Sequence, residues 1–193
     1  SIDFCGIKSP NPFWLASAPP TNTGDQVSRA FDAGWGGAVW KTLGNPIVNV
    51  SSRFGAIDYG PMRMAGLNNI ELITDRDLEL NLTEIAEVKR NWPDRAMVVS
   101  LMVPCVEASW KAILPRVEDT GADGIELNFG CPHGMSERGM GAAVGQVPEY
   151  IEMVTAWCKQ YSKLPVIVKL THNITDVRLP ARAAMRGGAD AVS

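Results

Sequence analysis

The sequence predicts an α/β fold, namely a (β/α)8 TIM barrel of which about six of the eight β/α units are present. Short apolar runs alternate with segments of helical periodicity, which is typical of a parallel sheet covered by helices. Three joints between a helix and a strand are alike, and each is a glycine helix stop that leads into a strand: AGWGGAV, TGADGIEL and RGGADAVS.

Such a barrel closes only with eight units and typically needs about 250 residues. The chain has 193 residues and stops inside a strand. We therefore expect residues 1–193 to form one barrel domain that is truncated at its carboxyl-terminal side.

Short-range signals place the individual elements. Apolar runs predict six strands, at residues 13–19, 38–42, 96–102, 121–129, 166–171 and 189–193. Helical spacing predicts five helices, at residues 25–33, 82–92, 107–120, 148–161 and 175–187. Thr23 is a suitable N-cap for the first helix, and Pro148 suits the first turn of the fourth.

The segment 43–73 is the exception to this alternation. It is rich in Gly, Pro and Asn and has weak periodicity, so no helix or strand is predicted for most of it. Long stretches without regular structure inside a compact domain are usually functional, and we expect this one to be so.

Composition excludes several classes of protein. A net charge of −3 argues against broad nucleic-acid binding, which needs a basic surface. No apolar run is long enough for a membrane span, and no secretory signal is visible. Four cysteines without CxxC spacing and only two histidines argue against a metal site. We expect a cytoplasmic protein with reduced thiols, no metal, no nucleic acid and no membrane partner.

The stretch 124–142 carries the strongest functional signal. Cys131 follows the strand run IELNF directly, and Pro132 prevents the strand from continuing. In parallel sheets the carboxyl ends of the strands carry the chemistry. Beyond Cys131 lies a loop with Gly134, Gly139 and Gly141, which predicts a mobile lid that approaches a ligand closely.

Other polar residues end the predicted strands and gather at the same edge in a barrel: Ser17, Lys41, Thr42, Ser100, Asn128, Lys169, Thr171 and Asn173. Lys41 and Lys169 each follow apolar strand residues. A charge at a buried strand end is costly unless it meets an anion or an acceptor-rich ligand. Either lysine alone could simply extend into solvent, but the two together favour a site for an electron-rich ring or an anionic cofactor.

At NFGCPHGMSERGMG, together with NPFWLASAP, WGGAVWKT, GLNNIEL and VIVKLTHNITD, the sequence resembles the dihydropyrimidine dehydrogenase family. That family belongs to the dihydroorotate dehydrogenase superfamily, and the resemblance runs from about residue 2 to the last residue. The segment CPHGMxERGMG is specific to the family. The shorter N-x-G-C-P is not, because tRNA-dihydrouridine synthases are similar there.

The resemblance implies an NAD-dependent oxidoreductase of pyrimidine catabolism, with FMN at the mouth of the barrel. It implies reduction of the C5=C6 bond of uracil or thymine, with hydride from FMN and a proton from Cys131. The residues that match flavin contacts in the family are Ala16, Ser17, Lys41, Thr42, Asn128 and Lys169.

The resemblance also implies which residues hold the pyrimidine: Asn69 and Asn128 match the family most firmly, and Asn173 matches or neighbours a third position. Gly130 departs from the mammalian pattern, which has a serine there that touches substrate. One substrate hydrogen bond is therefore not carried over to this sequence.

Further parts of such an enzyme are expected outside the 193 residues. These are the loops that bind the FMN phosphate and a cysteine-rich segment for two [4Fe–4S] clusters. The resemblance also implies a partner subunit, an NADH-oxidising flavoprotein, in a homo- or hetero-oligomer. We expect residues 1–193 alone to bind FMN poorly or not at all and to be inactive.

Three alternatives remain open at this stage. A dihydroorotate dehydrogenase has the same scaffold and another substrate. A tRNA-dihydrouridine synthase fits less well, because the chain is acidic. A non-catalytic half-barrel that serves as an interaction module is the alternative of a different class.

Overall fold

The structure is a computed structural model that describes residues 1–45, 53–68, 73–131 and 139–193. Its centre is a six-stranded sheet in which neighbouring strands are all parallel. The strands are Trp14–Leu15 (β3), Gly37–Leu43 (β4), Ala96–Leu101 (β7), Gly124–Asn128 (β8), Val166–Lys169 (β9) and Ala191–Val192 (β10). They lie side by side in chain order. The six predicted strands and their arrangement as a partial (β/α) barrel are confirmed.

Helices connect successive strands of this sheet. They are Gly24–Asp32 (α1), Leu78–Asn91 (α2), Glu107–Glu118 (α3), Ala142–Gly145 (α4), Pro148–Tyr161 (α5) and Arg178–Arg186 (α6), and a 3-10 turn spans Pro19–Thr21. The five predicted helices are confirmed, and Thr23 caps α1 by accepting a hydrogen bond from the Gln26 amide at 3.2 Å. The short α4 was not predicted. Helix α2 begins earlier than predicted because Asp77 caps it, accepting hydrogen bonds from two amides of its first turn.

Strand alternation divides the apolar side chains between two faces of the sheet. The outer face packs against the helices through Trp40, Met97, Val99, Leu101, Ile125, Leu127, Val166 and Val168. The inner face carries a smaller cluster: Trp14, Val39, Ala96, Val98, Ile167 and Ala191, joined by Ile7. Burial on both faces explains the nearly continuous apolar strands of the sequence.

Two antiparallel hairpins that were not predicted complete the described fold. The first pairs Ile2–Phe4 (β1) with Ile7–Ser9 (β2), and it places Ile7 against the inner cluster. The second pairs Arg53–Tyr59 (β5) with Met62–Asn68 (β6) inside the segment 43–73. The prediction that this segment lacks regular structure is therefore wrong for most of its described part. One glycine within each strand, Gly55 and Gly66, and the turn at Gly60-Pro61 conceal the period of two in the sequence.

A partly buried ion pair fixes the chain where it enters α2. Arg76 contacts both carboxylate oxygens of Glu84, with one nitrogen–oxygen distance of 3.0 Å, and donates to the Asn22 carbonyl at 2.6 Å. Thr74 donates its hydroxyl proton to Asn22 Oδ1, and its amide donates to the Thr42 carbonyl at 2.9 Å. The guanidinium of Arg76 holds the pKa of Glu84 below its usual value. The pair thus ties α2 to β4 and to the loop after β3.

Replacing Arg76 by Met should lower the free energy of unfolding at pH 7 by about 2 kcal/mol, because it removes hydrogen bonds between charged groups. Since the folded-state pKa of Glu84 lies below the unfolded value, this stabilisation is present above the unfolded pKa. It is lost as the pH falls through the folded pKa. The difference between Arg76→Met and wild type in urea unfolding should therefore shrink in acid.

The matched control is Arg29→Met, which removes a fully solvated ion pair with Asp25 on α1. Its effect should stay below about 0.5 kcal/mol. An equal loss in both variants, or a loss for Arg76→Met that does not depend on pH, would contradict a structural role for the Arg76–Glu84 pair.

Candidate active site

Polar side chains are buried at the carboxyl ends of the parallel strands. Those that are less than a tenth exposed are Lys41, Thr42, Ser100, Glu126, Asn128 and Thr171. Ser17 and Lys169 are partly buried beside them. Carboxyl ends of parallel strands meet at one edge of the sheet, so side chains that are distant in the sequence come together there.

A β-bulge in β4 brings two consecutive residues into this edge. Trp40 pairs with Val99 and Leu43 pairs with Leu101, so Lys41 and Thr42 together lie opposite Ser100 alone. In a regular strand consecutive side chains point to opposite faces. Trp40 and Leu43 pack in the outer core, whereas the Thr42 hydroxyl bonds to Ser100 on the inner side. The bulge therefore aims Thr42 at the site, a known use of bulges near functional residues.

A hydrogen-bonded chain of side chains crosses four strands. The Ser17 and Thr42 hydroxyls lie 3.1 Å apart, and the Thr42 and Ser100 hydroxyls lie 2.9 Å apart. Ser100 donates to Glu126 Oε1 at 2.7 Å. Asn128 joins from β8, where its Nδ2 donates to Thr42 Oγ1 at 2.9 Å. Three of the predicted site residues, Ser17, Thr42 and Asn128, or four with Ser100, are thus linked into one network.

Glu126 is the functional residue that sequence reasoning missed. Its Oε1 accepts a hydrogen bond from Lys169 Nζ at 2.8 Å as well as from Ser100. Because the run IELNF was interpreted as a uniformly buried strand, its glutamate received no role. The available signal was the period of two, which places Glu126 on the same face as Asn128.

The amide of Asn128 is held at both ends. Its Oδ1 accepts a hydrogen bond from the Gly130 amide at 3.1 Å while its Nδ2 donates to Thr42. A Cβ added at Gly130 would lie 3.4 Å from the Leu170 carbonyl oxygen, an ordinary contact. A serine at position 130, the residue of the mammalian pattern, therefore has room at the level of its Cβ.

Cys131 lies just beyond β8 and is partly exposed. Its side chain packs against Ile73, Met102 and Met140, and its carbonyl accepts a hydrogen bond from the Ala142 amide at 3.0 Å. Gly141 has a φ of +59°, and a Cβ there would lie 2.4 Å from the Cys131 carbonyl oxygen. Gly141 thus approaches the backbone of Cys131, and the approach to a ligand that was predicted for this loop stays a prediction.

The remaining predicted residues have different positions. The exposed Ala16 contributes its carbonyl to Thr21 Oγ1 at 3.3 Å. Asn173 is exposed, and its backbone amide bonds to Thr171. Asn69, His133, Gly134 and the other lid residues up to 138 lie outside the described residues. The roles assigned to all of these residues stay predictions.

Two further properties bear on what the site can do. Within the described ranges, no three His, Cys, Asp or Glu side chains are grouped as metal ligands would be. None of the helices in those ranges has the length and apolar character needed to cross a membrane.

Several known proteins are similar to this chain in sequence. A family model described as dihydrouridine synthase matches residues 99–192, the part that contains the N-x-G-C-P segment. Over its full length the chain is 42% identical to the NAD-dependent dihydropyrimidine dehydrogenase subunit PreA of Escherichia coli K12, covering 47% of that protein. It is 33% identical to the catalytic subunit of dihydroorotate dehydrogenase B (NAD(+)) of Pyrococcus abyssi, covering 60% of it. The chain is thus similar over its whole length to dihydropyrimidine and dihydroorotate dehydrogenases.

The barrel fold agrees with that of a solved structure. The crystal structure of DHODH from Eimeria tenella in complex with ferulenol matches with a TM-score of 0.74 and 15% sequence identity. The match covers all of this chain and 58% of that one, and at this identity it concerns the fold alone. The chain spans about half the length of the curated relatives it matches.

Replacing Gly141 by Ala should displace Cys131, because the added Cβ would overlap the Cys131 carbonyl oxygen. Gly139→Ala is the matched control, since Gly139 also has a positive φ, of +66°, but its Cβ would meet nothing within 4 Å. Both variants should lose about 1 kcal/mol from backbone strain. Only Gly141→Ala should change the rate at which Cys131 is alkylated, measured by peptide mass spectrometry. Equal alkylation rates in the two variants would show that the Gly141 contact does not position Cys131.

Proposed function

We propose that the protein belongs to a flavin-dependent enzyme that reduces the C5=C6 bond of uracil or thymine. The observation that carries this proposal is the position of Cys131, which lies three residues after Asn128. Asn128 belongs to the buried polar network that it forms with Thr42, Ser100 and Glu126. The 42% identity to a dihydropyrimidine dehydrogenase subunit over the whole chain supports the same substrate class.

The residues at the strand ends suit FMN. An isoalloxazine ring carries hydrogen-bond-accepting carbonyls and ring nitrogens and gains negative charge on reduction, so it favours cations and hydrogen-bond donors. Lys41 and Lys169 supply ammonium groups at the ends of β4 and β9, and Ser17, Thr42 and Asn128 supply hydroxyls and an amide on the same edge. We assign these residues, together with the backbone at Ala16, to the flavin. When bound there, FMN supplies hydride to C6 of the pyrimidine.

We assign to Cys131 the donation of a proton to C5 of the pyrimidine. A general acid must carry its proton before the transfer, and a cysteine thiol is mostly protonated at neutral pH. The Cys131 side chain also packs against Ile73, Met102 and Met140, which help to hold it in place. The other cysteines do not compete for this role: Cys158 is buried in the outer core, Cys105 packs against that core, and the Cys5 thiol donates to the Asp190 carbonyl at 3.3 Å.

The asparagines are assigned to the pyrimidine. Uracil and thymine present alternating N–H and C=O groups, and an amide side chain offers one donor group and one acceptor. The fixed orientation of Asn128 suits such recognition, since its two amide ends are already distinguished by Thr42 and Gly130. Asn69, Gly130 and Asn173 are the other residues that we assign to substrate.

The rest of the enzyme is proposed from its relatives. We infer that residues 1–193 form part of a longer barrel and that the isolated piece binds FMN poorly. PreA is named as a subunit of an NAD-dependent enzyme, so electrons from NAD(H) are expected through a partner subunit. The [4Fe–4S] clusters belong to the proposal only for the remainder of such a chain, and the proposed location is the cytoplasm.

The second candidate is dihydroorotate oxidation, because a dihydroorotate dehydrogenase catalytic subunit is 33% identical over the whole chain. This second reaction would use the same arrangement of cysteine, lysines and amides. Its substrate differs from uracil because it carries a carboxylate. Orotate and uracil therefore distinguish the two candidates directly.

The test is flavin reoxidation in the protein translated from the complete reading frame. After anaerobic reduction, uracil or thymine should reoxidise the flavin rapidly and orotate should not. In Cys131→Ala the rate with uracil should fall by about 10²- to 10⁴-fold, the contribution of a positioned general acid. The control Cys105→Ala should keep the wild-type rate.

Three other results would change the proposal. Reoxidation by orotate alone would favour the second candidate. An unchanged rate in Cys131→Ala would remove the cysteine from the mechanism. Failure of the complete protein to bind any flavin would favour a non-catalytic interaction module.

A further inference from the structure

Glu126 has no part in the chemistry proposed above, yet it lies beneath the site. It is only 7% exposed, and one of its carboxylate oxygens accepts hydrogen bonds from both Lys169 and Ser100. We propose that Glu126 is a positioning residue: it fixes the Lys169 ammonium and sets the direction of the hydroxyl chain that orients the Asn128 amide. This inference rests on the proposed function only for the ligands, flavin and pyrimidine, that the Lys169 ammonium and the Asn128 amide then bind.

The first step concerns the ion pair. Lys169 pairs in strand register with Asn128, but its ammonium reaches the carboxylate two residues earlier on β8. The Lys169 side chain is about one-third exposed and the Glu126 side chain only about one-tenth. A buried carboxylate is stable as an anion only when it is paired and hydrogen-bonded. The two groups therefore hold each other, and the ammonium stays at the edge where the proposed flavin site lies.

The second step concerns the direction of the hydrogen bonds. An ionised carboxylate only accepts, so Ser100, in register beside Glu126, must use its single hydroxyl proton there. Ser100 Oγ can then only accept from Thr42 within this chain. With its own proton directed at Ser100, Thr42 Oγ1 accepts from Ser17 and from Asn128. One negative charge thus determines the donor direction at three hydroxyls.

The third step concerns Asn128. Because Thr42 presents a lone pair to it, the Asn128 amide must turn its Nδ2 towards Thr42. Its Oδ1 is then directed to the Gly130 amide. Reversal of the chain would aim the Thr42 proton at Asn128 Nδ2, where two donors would face each other. The charge of Glu126 therefore favours, from the Thr42 side, the same amide orientation that the Gly130 amide favours from the other.

The test begins with the ligand-free protein, labelled with ¹⁵N in asparagine. The Asn128 side-chain NH₂ signals are identified by their loss in Asn128→Ala. Glu126→Gln should shift these signals, because a neutral amide no longer imposes the hydrogen-bond direction. Ser100→Ala should shift them as well, since it interrupts the chain while leaving the Lys169–Glu126 pair. The control Glu152→Gln removes an exposed ion pair with Arg186 and should leave the signals unchanged.

The second readout is flavin affinity, measured by fluorescence in the complete protein. Glu126→Gln and Lys169→Met should each raise the flavin dissociation constant by about tenfold, the typical effect of one charge-assisted hydrogen bond. The double variant should be no weaker than the weaker single variant, because Glu126 acts on the flavin through Lys169. Glu152→Gln should bind flavin like the wild type.

Two results would overturn the proposal. Unchanged Asn128 signals in Glu126→Gln would show that the carboxylate does not orient the amide, and additive losses of flavin affinity would show that it does not act through Lys169. If Glu126→Gln does not fold, Ser100→Ala decides the orientation step in the same way. A protein that binds no flavin, or reduces no pyrimidine, would refute the proposed function but leave the result on Asn128 standing.

Discussion

The carboxylate of Glu126 is the charge on which the polar edge of the sheet depends. A buried anion costs several kcal/mol unless its oxygens are occupied by donors. Lys169 from β9 and Ser100 from β7 occupy Oε1 together, and both are reached because β7, β8 and β9 are parallel neighbours. The polar edge therefore depends on the order of the strands, since no single segment of the chain supplies enough hydrogen-bond donors for the Glu126 carboxylate.

The same strand order explains why the polar groups of the site are buried rather than exposed. The hydroxyls of Thr42 and Ser100 are buried, and each has its proton directed towards the next acceptor. Satisfied networks of this kind are rigid, because rotating one hydroxyl breaks two hydrogen bonds. A site built on strands with such support holds its groups more accurately than a site built on loops.

Much of this arrangement could be predicted from the sequence. Apolar runs and glycine helix stops were sufficient for the six parallel strands, and strand ends were sufficient to place Thr42, Asn128 and Lys169 at one edge. The hairpin β5–β6 was missed because one glycine within each strand interrupts the alternation of side chains that identifies a strand. The hairpin β1–β2 was missed because its strands have only three residues each. In both cases pairing stabilises a backbone whose own propensity is low.

The partners of Glu126 and the bulge in β4 could not be predicted for a different reason. A regular strand would have turned Thr42 away from Lys41, and only the pairing of Leu43 with Leu101 reveals the extra residue. Glu126 became interpretable only when its partners from β7 and β9 were known. Both features depend on register between strands that are separated by more than twenty residues, and local periodicity contains no information on register.

Cys131 is supported differently from the network beside it. The ladder between β8 and β9 continues through the Phe129 amide, which donates to the Lys169 carbonyl at 3.0 Å, and the Ala142 amide then holds the Cys131 carbonyl. Gly145 approaches the Phe129 carbonyl so closely that a Cβ there would lie 2.1 Å from its oxygen. The backbone at 129–131 is thus fixed from the sheet on one side and from residues 141–145 on the other. Its cysteine side chain meanwhile packs among methionines, which adapt easily to small displacements. Such an arrangement suits an acid that must stay close to one carbon atom while substrates enter and leave.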